Sequence, residues 1–203
     1  MGFGAGINFL NTWKKFIEVI MKVTETFLKG CYIIEPSIHK DNRGVFFESF
    51  NKKEFEKKLA FNINFVQDNQ SVSSKGVIRA LHMQKPPFSQ AKLVNVVKGK
   101  VLDVVVDVRK NSQTFGQHFS IELSSENRKQ LFVPRNFLHG FAVLEDETIF
   151  TYKCDNYYNK EAEVGVIYND KDLNIDWLLD EDEIILSEKD NSLKSFRSSI
   201  LLN

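Results

Sequence analysis

Eight short strand-like runs follow one another between residues 64 and 154, and they constrain the fold more than any other feature of the sequence. Apolar, β-branched and aromatic residues dominate most of the runs, and turn-forming residues separate them. Short strands at such close intervals are typical of an antiparallel sandwich or barrel. We predict strands over residues 64–67, 77–84, 91–98, 100–109, 116–123, 130–133, 140–144 and 147–154.

One helix is predicted ahead of these strands. Asn51, followed three residues later by Glu54, forms a capping box, and Phe55 and Leu59 supply a single apolar stripe. These signals predict a short helix over residues 51–60 that covers one end of the sheet.

Turn signals organise the remaining chain. The sequence of residues 21–50 is typical of strands, with a turn at 40–44. Lys98-Gly99, between two valine-rich runs, predicts a tight hairpin. Beyond residue 155 the acidic, polar sequence predicts irregular structure with short helices.

The length and charge of the chain limit its class. A chain of 203 residues suffices for one substantial core, and we predict a single domain over residues 21–203. Residues 1–20 are interpreted as an extension outside that domain, the alternative being a helix that binds a membrane surface or a partner. The 27 basic and 27 acidic residues cancel, so we expect no nucleic-acid or membrane partner. The two cysteines, Cys31 and Cys154, form no C-x-x-C motif and favour a reduced, cytoplasmic protein.

The stretch 77–97 carries charged groups where alternation would place apolar ones. Arg79, His82 and Lys92 stand in two predicted core strands, and burying them costs several kcal/mol unless each has a partner. We interpret the stretch as the wall of a site. A metal site needs histidines at suitable spacing, but Gln84 stands two residues past His82, so no H-x-H motif exists and no catalytic metal is predicted.

The missing motifs narrow the chemistry to proton transfer. The sequence has no G-x-S-x-G, no phosphate-binding glycine loop and no dinucleotide fingerprint, so no cofactor is predicted. His82 and His139 are each about as suited to a structural role as to catalysis. Tyr152, on one strand face with Phe150 and Cys154, is the candidate acid because a phenol has a pKa near 10.

Eight motifs in chain order resemble one known family. They are DNRGVFFE at 41–48, FVQDNQS at 65–71, IRALH at 78–82, AKLV at 91–94, TFG at 114–116, LHGF at 138–141, YK with NYY at 152–158, and LSEKD at 186–190. Over residues 22–190 they closely resemble the dTDP-4-dehydrorhamnose 3,5-epimerase family.

The resemblance implies a fold, an activity and an assembly. The fold would be mainly β, a cupin-type double-stranded β-helix (jelly-roll) barrel with short flanking helices. The reaction would be metal-free 3,5-epimerisation of dTDP-4-dehydro-6-deoxy-D-glucose to dTDP-4-dehydro-L-rhamnose, in dTDP-L-rhamnose biosynthesis. Family members are homodimers whose N-terminal segment reaches into the neighbouring site.

The resemblance also implies roles for particular residues. His82 matches the general base, Asp190 the carboxylate paired with it, and Tyr152 the acid on the opposite face of the sugar. Lys92 and His139 match residues that line the sugar and its developing oxyanion. Residues that match substrate contacts are Arg43, Glu48, Gln67, Asn69, Arg79, Tyr158, Glu163 and Lys189.

Several points stay open at this stage. Ala80 replaces the usual glycine and is expected to tighten the pocket, and Leu178 replaces a proline in a loop. Strict alternation would place Arg79 and His82 on opposite strand faces, so either a bulge separates them or Arg79 approaches from the rim. The alternatives in function are inversion at C3 or C5 alone in another deoxysugar pathway, and a non-catalytic cupin that binds a sugar nucleotide.

Overall fold

Two antiparallel sheets face each other in the computed structural model, which describes residues 21–201. In chain order the strands are β1 (Met21–Glu25), β2 (Tyr32–Pro36), β3 (His39–Asp41), β4 (Gly44–Phe46), β5 (Gln67–Ser73), β6 (Ile78–Gln84), β7 (Lys92–Lys98), β8 (Lys100–Asp107), β9 (His118–Ser124), β10 (Gln130–Val133), β11 (Phe137–Val143), β12 (Thr148–Cys154) and β13 (Glu163–Gly165). The helices are α1 (Lys52–Leu59) and α2 (Glu188–Asn191), with short 3-10 helices at Lys160–Ala162 and Glu181–Glu183 and a π-helical turn at Arg197–Leu201.

The sheets have the strand orders β1-β2-β10-β7-β12-β5 and β13-β6-β11-β8-β9, and β3 and β4 form a separate hairpin. Every pairing between the named strands is antiparallel. The predicted mainly-β, antiparallel architecture is therefore confirmed. The extension predicted over residues 1–20, with its alternative of a membrane- or partner-binding helix, lies outside the described residues.

The strand β8 shows why this sandwich has a core on both sides of one sheet. Val101 and Val105 pack into the core between the two sheets, whereas Leu102, Val104 and Val106 pack into a second core on the outer face. Side chains alternate along a strand, so a strand that is apolar at nearly every position must be covered twice.

The second cover comes from the irregular C-terminal segment. Val166, Leu173, Trp177, Phe196 and Ile200 pack on the outer face of the five-stranded sheet and belong to the same core cluster. The segment beyond residue 155, predicted to be irregular, is thus a structural layer of the fold, and it also contains α2.

The helix α1 forms as predicted. The Asn51 side chain accepts a hydrogen bond from the backbone N–H of Glu54 at 3.3 Å, a cap that stabilises a helix by about 1 kcal/mol. Phe55 and Leu59 are buried and pack with Leu93 on the outer face of the six-stranded sheet. The helix therefore covers one end of that sheet.

One predicted strand was misplaced. Residues 64–66 are not in a strand, and the strand at this point is β5, which begins at Gln67 and has the polar sequence QDNQSVS. It forms because β12 pairs with it along its whole length, from Thr148 opposite Ser73 to Cys154 opposite Gln67. Its polar side chains on one face do not lie in an apolar core, which explains why composition failed to reveal it.

The predicted hairpin at Lys98-Gly99 was also wrong. β7 and β8 belong to different sheets, so the chain crosses from one sheet to the other at this point. Gly99 has φ +80°, and a Cβ there would collide with Thr148. Glycine is required for the crossing rather than for a hairpin turn. The other predicted strands correspond to β6 through β12, with bounds that differ by at most three residues.

A buried carboxylate fixes the loop after β8. Asp107 accepts hydrogen bonds from Arg109 Nη2 at 2.7 Å, from Ser112 Oγ at 2.5 Å and from Thr114 Oγ1 at 2.7 Å. Burial opposes the ionisation of Asp107, but these hydrogen bonds outweigh burial and lower its pKa to about 2. The loop is thereby tied to the end of the strand.

Two further findings concern the chain as described. Cys31 and Cys154 are both buried and both free. Within residues 21–201, no helix has the length and hydropathy needed to span a membrane.

Candidate active site

A cleft of about 420 Å³ opens between the two sheets. Its walls come from β5, β7 and β12 of the six-stranded sheet and from β6 and β11 of the five-stranded sheet, and the segment that contains α2 closes one side. The lining residues are Asn69, Gln70, Ser71, Arg79, His82, Lys92, His139, Phe141, Tyr152, Ser187, Lys189 and Asp190.

A bulge in β6 brings Arg79 and His82 to the same cleft. His82 pairs with His139 and Arg79 pairs with Phe141, so β6 uses three residue steps where β11 uses two. The extra residue places the side chains of both Arg79 and His82 in the cleft. Of the two alternatives left open by the sequence, the structure has the bulge.

The methyl group of Ala80 does not tighten the cleft. Ala80 is fully buried in the outer core, where it packs against Gly140, and it is not one of the lining residues. The expectation of a narrower pocket was wrong because the bulge turns this side chain to the other face of the sheet.

His82 is paired with a carboxylate. Its Nε2 lies 2.7 Å from Oδ1 of Asp190, and the side chains are 21% and 7% exposed. Asp190 is held in turn by the N-terminus of α2, where its backbone N–H donates to Oγ of Ser187 at 3.0 Å. A buried carboxylate that bonds one imidazole nitrogen fixes the tautomer and stabilises the imidazolium, which is the arrangement of a general base.

Tyr152 and Lys92 line the same cleft from the six-stranded sheet, opposite the sheet that carries His82. The Lys92 ammonium lies 5.6 Å from the centre of the Tyr152 ring and makes no hydrogen bond or ion pair with any described residue. Burial lowers the pKa of Lys92, and burial raises the pKa of Tyr152. Tyr152 therefore stays protonated, and Lys92, without a partner among the described residues, is available to an anionic group.

A second pair of histidine and aspartate lies deeper. Nε2 of His139 is 2.9 Å from Oδ2 of Asp103, and Asp103 is fully buried with its other oxygen unpaired among the described residues. Burial raises the pKa of Asp103, although His139 opposes this shift. Sequence reasoning missed Asp103. The signal was present, because an acidic residue interrupts the valine run VLDVVV at a core-facing position.

Amide side chains organise the β5 wall. Gln67 Nε2 donates to Oδ1 of Asn69 at 3.0 Å, and the backbone N–H of Tyr158 donates to Oε1 of Gln67 at 3.0 Å. Asn69 lies in the cleft, whereas Gln67 supports it from behind.

At the rim of the cleft, charged and phenolic side chains are linked to one another by an ion pair and a hydrogen bond. Oε1 of Glu163 lies 2.6 Å from Nζ of Lys189, and the Tyr158 hydroxyl donates to Oε2 of Glu163 at 2.8 Å. Burial opposes the ionisation of Glu163, but the hydrogen bonds from Lys189 and Tyr158 outweigh burial and lower its pKa. Of these three residues, Lys189 lines the cleft itself.

Arg43 and Glu48 lie away from this cleft. Arg43 is on the β3–β4 hairpin with its side chain 86% exposed, paired with Asp41 at 2.6 Å, and Glu48 bonds the side chain of Asn51. The remaining predicted site residues lie in the cleft or are linked to it by hydrogen bonds. Among the described residues, no group of three His, Cys, Asp or Glu side chains is placed to hold a metal ion.

The comparison with protein families decides the classification. The family model described as dTDP-4-dehydrorhamnose 3,5-epimerase matches residues 25–198. The chain belongs to this family. A curated epimerase of that name from Shigella flexneri is 47% identical over 176 residues, which cover 87% of this chain and 96% of the relative.

Solved structures of the family share the fold. The dTDP-4-dehydrorhamnose 3,5-epimerase of Elizabethkingia anophelis is 52% identical, with a TM-score of 0.86 over 90% of this chain and 100% of that chain. The dTDP-6-deoxy-D-glucose-3,5-epimerase of Legionella pneumophila, in complex with dTDP-4-keto-L-rhamnose, is 46% identical, with a TM-score of 0.83 over 86% of this chain and 92% of that chain. The cupin-type jelly-roll prediction is confirmed.

Proposed function

We propose that this member of the epimerase family converts dTDP-4-dehydro-6-deoxy-D-glucose to dTDP-4-dehydro-L-rhamnose by inverting C3 and C5, in dTDP-L-rhamnose biosynthesis. The observation that carries the proposal is the His82–Asp190 pair on one wall of a cleft whose other wall presents Tyr152 and Lys92. The names of the family's relatives support the choice of substrate.

The chemistry uses groups that the cleft supplies. The C4 ketone acidifies the hydrogens on C3 and C5, and His82 removes one of them as a proton. The electrons move onto the ketone oxygen, and the resulting enolate is stabilised by the Lys92 ammonium, with His139 also near the sugar. Inversion requires that the proton return to the opposite face of the carbon, so the phenol of Tyr152 donates it. No step in this sequence calls for a metal or an organic cofactor.

The nucleotide part of the substrate is bound by polar residues outside this reacting group. Arg79 lies in the cleft with Asn69, which Gln67 supports, and these residues hold the nucleotide diphosphate. Glu163, Lys189 and Tyr158 border the sugar end.

Exchange with solvent tests the reaction. Wild-type protein in D₂O with the 4-keto substrate should place deuterium at both C3 and C5, measured by proton NMR. Label at C3 alone, or at C5 alone, would contradict double epimerisation and favour the alternative of a single epimerase. His82→Asn should abolish exchange while binding of dTDP is retained. A non-catalytic binding cupin would show no exchange even in the wild-type protein.

The proposed assembly is a homodimer in which the β3–β4 hairpin of each protomer serves the site of the other. Arg43 does not reach its own cleft, and the hairpin exposes Phe46 at 70% and Val45 at 43%. A partner that covers this hairpin would bury both side chains. We also propose a cytoplasmic location, since both cysteines are free thiols.

Mixed protomers test the shared site. Arg43→Ala and His82→Asn proteins should each be inactive as homodimers. Unfolded together and refolded, they should recover about a quarter of wild-type activity, because half of randomly formed dimers are mixed and each mixed dimer has one intact site. No recovery, together with a monomeric mass in sedimentation, would contradict the shared site.

A further inference from the structure

Gln84 is a buried polar residue that the proposed reaction does not use. It lies on β6 two residues beyond His82, and it is 5% exposed. Its Nε2 donates to the carbonyl oxygens of Phe88 at 2.7 Å and Tyr157 at 3.2 Å, and its Oε1 accepts from the backbone N–H of Asn159 at 2.6 Å. An amide turned the other way would set like groups against each other at all three contacts, so this orientation satisfies the side chain.

The three hydrogen bonds join two segments that cross between the sheets. Residues 85–91 lead from β6 to β7, and residues 155–162 lead from β12 to β13. Phe88 lies on the first segment, and the other two partners of Gln84 lie on the second. Gln84 therefore ties both crossings to each other and to the strand that carries the base.

Tyr158 lies between the two points at which Gln84 holds the second segment. Residues 156–158 make no backbone-to-backbone hydrogen bond with any described residue, so side chains hold this part of the chain. Gln84 bonds the carbonyl oxygen of Tyr157 on one side and the N–H of Asn159 on the other. A second amide side chain, described above, binds the N–H of Tyr158 itself. The place of the Tyr158 phenol at the rim of the cleft thus depends on Gln84.

The residue type at position 84 matches this role. Among neutral side chains, only Asn and Gln offer two donors and an acceptor on one group. A neutral imidazole has one donor and one acceptor, so a histidine here, which would complete an H-x-H motif with His82, could not make all three bonds. A glutamate would set a negative charge against two carbonyl oxygens.

We propose that Gln84 is a positioning residue that clamps the backbone on both sides of Tyr158 and so fixes this phenol where it meets the sugar. Gln84 does not itself line the cleft, and none of its hydrogen bonds involves the catalytic groups. Losing the clamp should therefore weaken binding of the sugar and leave the chemistry nearly intact. The kinetic consequence rests on the proposed function, whereas the clamp itself does not.

Substitution of Gln84 gives the kinetic test. Gln84→Met keeps the length of the side chain and removes all three hydrogen bonds. KM for deuterium incorporation into the substrate should rise about tenfold with kcat within about threefold of wild type, because an interaction equal in ground and transition states affects KM alone. Gln84→Glu keeps the shape but has no donor at neutral pH, and it should raise KM at least as much. Gln113, exposed on the loop after β8, is the matched control, and the same two substitutions there should leave KM at the wild-type value.

A double variant shows whether Gln84 acts through Tyr158. In a Tyr158→Ala protein the ring to be positioned is gone, so adding Gln84→Met should raise KM by less than about twofold. Two kinetic results would overturn the proposal. A Gln84→Glu protein with the wild-type KM would show that the donors are not used, and KM increases that multiply in the double variant would show a role independent of Tyr158.

Amide hydrogen exchange of the free protein, followed by NMR, tests the clamp without any activity. In the wild-type protein the N–H of Asn159 should exchange slowly, although its hydrogen-bond acceptor is a side chain. In Gln84→Met it should exchange at least about tenfold faster while the amides of β8 keep their rates, which separates a local loss from a loss of overall stability.

Fast exchange at Asn159 in the wild-type protein, or an unchanged rate in Gln84→Met, would refute the clamp. If Gln84→Met does not fold, the wild-type rate decides alone. A wild-type protein that protects Asn159 but places no deuterium in the substrate would refute the proposed function and still support the clamp.

Discussion

Replacing Asp190 with Asn gives the sharpest test of the proposed base. Asn keeps the size of the side chain and the backbone N–H that bonds Ser187, so α2 should remain in place. The change removes one negative charge that lies 2.7 Å, nitrogen to oxygen, from the His82 ring. That charge stabilises the ring most strongly when the ring carries the abstracted proton.

The size of the effect follows from the distance. Two unit charges with centres about 4 Å apart interact by about 4 kcal/mol at an effective dielectric constant of about 20. Since each 1.36 kcal/mol of lost transition-state stabilisation is a factor of ten, the rate of deuterium exchange should fall by about 10³. Asn can also hold the wrong tautomer of the ring, which would make the loss larger.

The assay is exchange at C3 and C5 in D₂O, followed by proton NMR at saturating substrate. Glu188→Gln, on the same helix with an exposed side chain, is the control and should keep the wild-type rate. Circular dichroism should show both variants folded. An Asp190→Asn protein that exchanges within about threefold of wild type would refute the charge-paired base.

Three further results are expected. Burial lowers the pKa of Lys92 and raises the pKa of Tyr152. The value of kcat/KM should therefore fall at alkaline pH as Lys92 loses its charge, and Lys92→Arg should move that fall to higher pH. A pH profile that does not move would show that another group causes the fall. The folded pKa of Asp107 is about 2, against an ordinary value of 3.8, and this difference contributes about 2 kcal/mol of stability above pH 4 that is lost as pH falls towards 2. Urea unfolding of Asp107→Asn should therefore depend less on pH in this window. Gly140→Ala should lower the free energy of unfolding by about 1–3 kcal/mol, since its Cβ would lie 2.5 Å from Cβ of Ala80, and Ala80→Gly should recover part of the loss in chemical denaturation.

The parts of the fold that sequence could predict are those where side chains face one apolar core. The helix α1 and the strands β6 through β12 follow from capping, alternation and valine-rich runs. β5 escaped because a strand that borders a cleft carries polar residues on that face. Its existence depends on pairing with β12, which composition does not encode.

As with the fold, only part of the site could be predicted from the sequence. Charged residues in core strands pointed to Arg79, His82 and Lys92, but only the family resemblance could place Asp190 on His82, 108 residues away along the chain. The bulge depends on an uneven pairing with β11 that no alternation rule reveals. Asp103 shows the opposite case, because an acidic residue within a valine run is a signal present in the sequence itself.

The layer that covers the five-stranded sheet also determines when the protein becomes active during its synthesis. All strands of both sheets are complete by Gly165, whereas the carboxylate of Asp190 emerges from the ribosome later. Until the segment after Gly165 is made, the outer face of the five-stranded sheet stays uncovered and His82 lacks its carboxylate partner. Translation that stops between these two points would leave a chain with an exposed apolar sheet face and no working base.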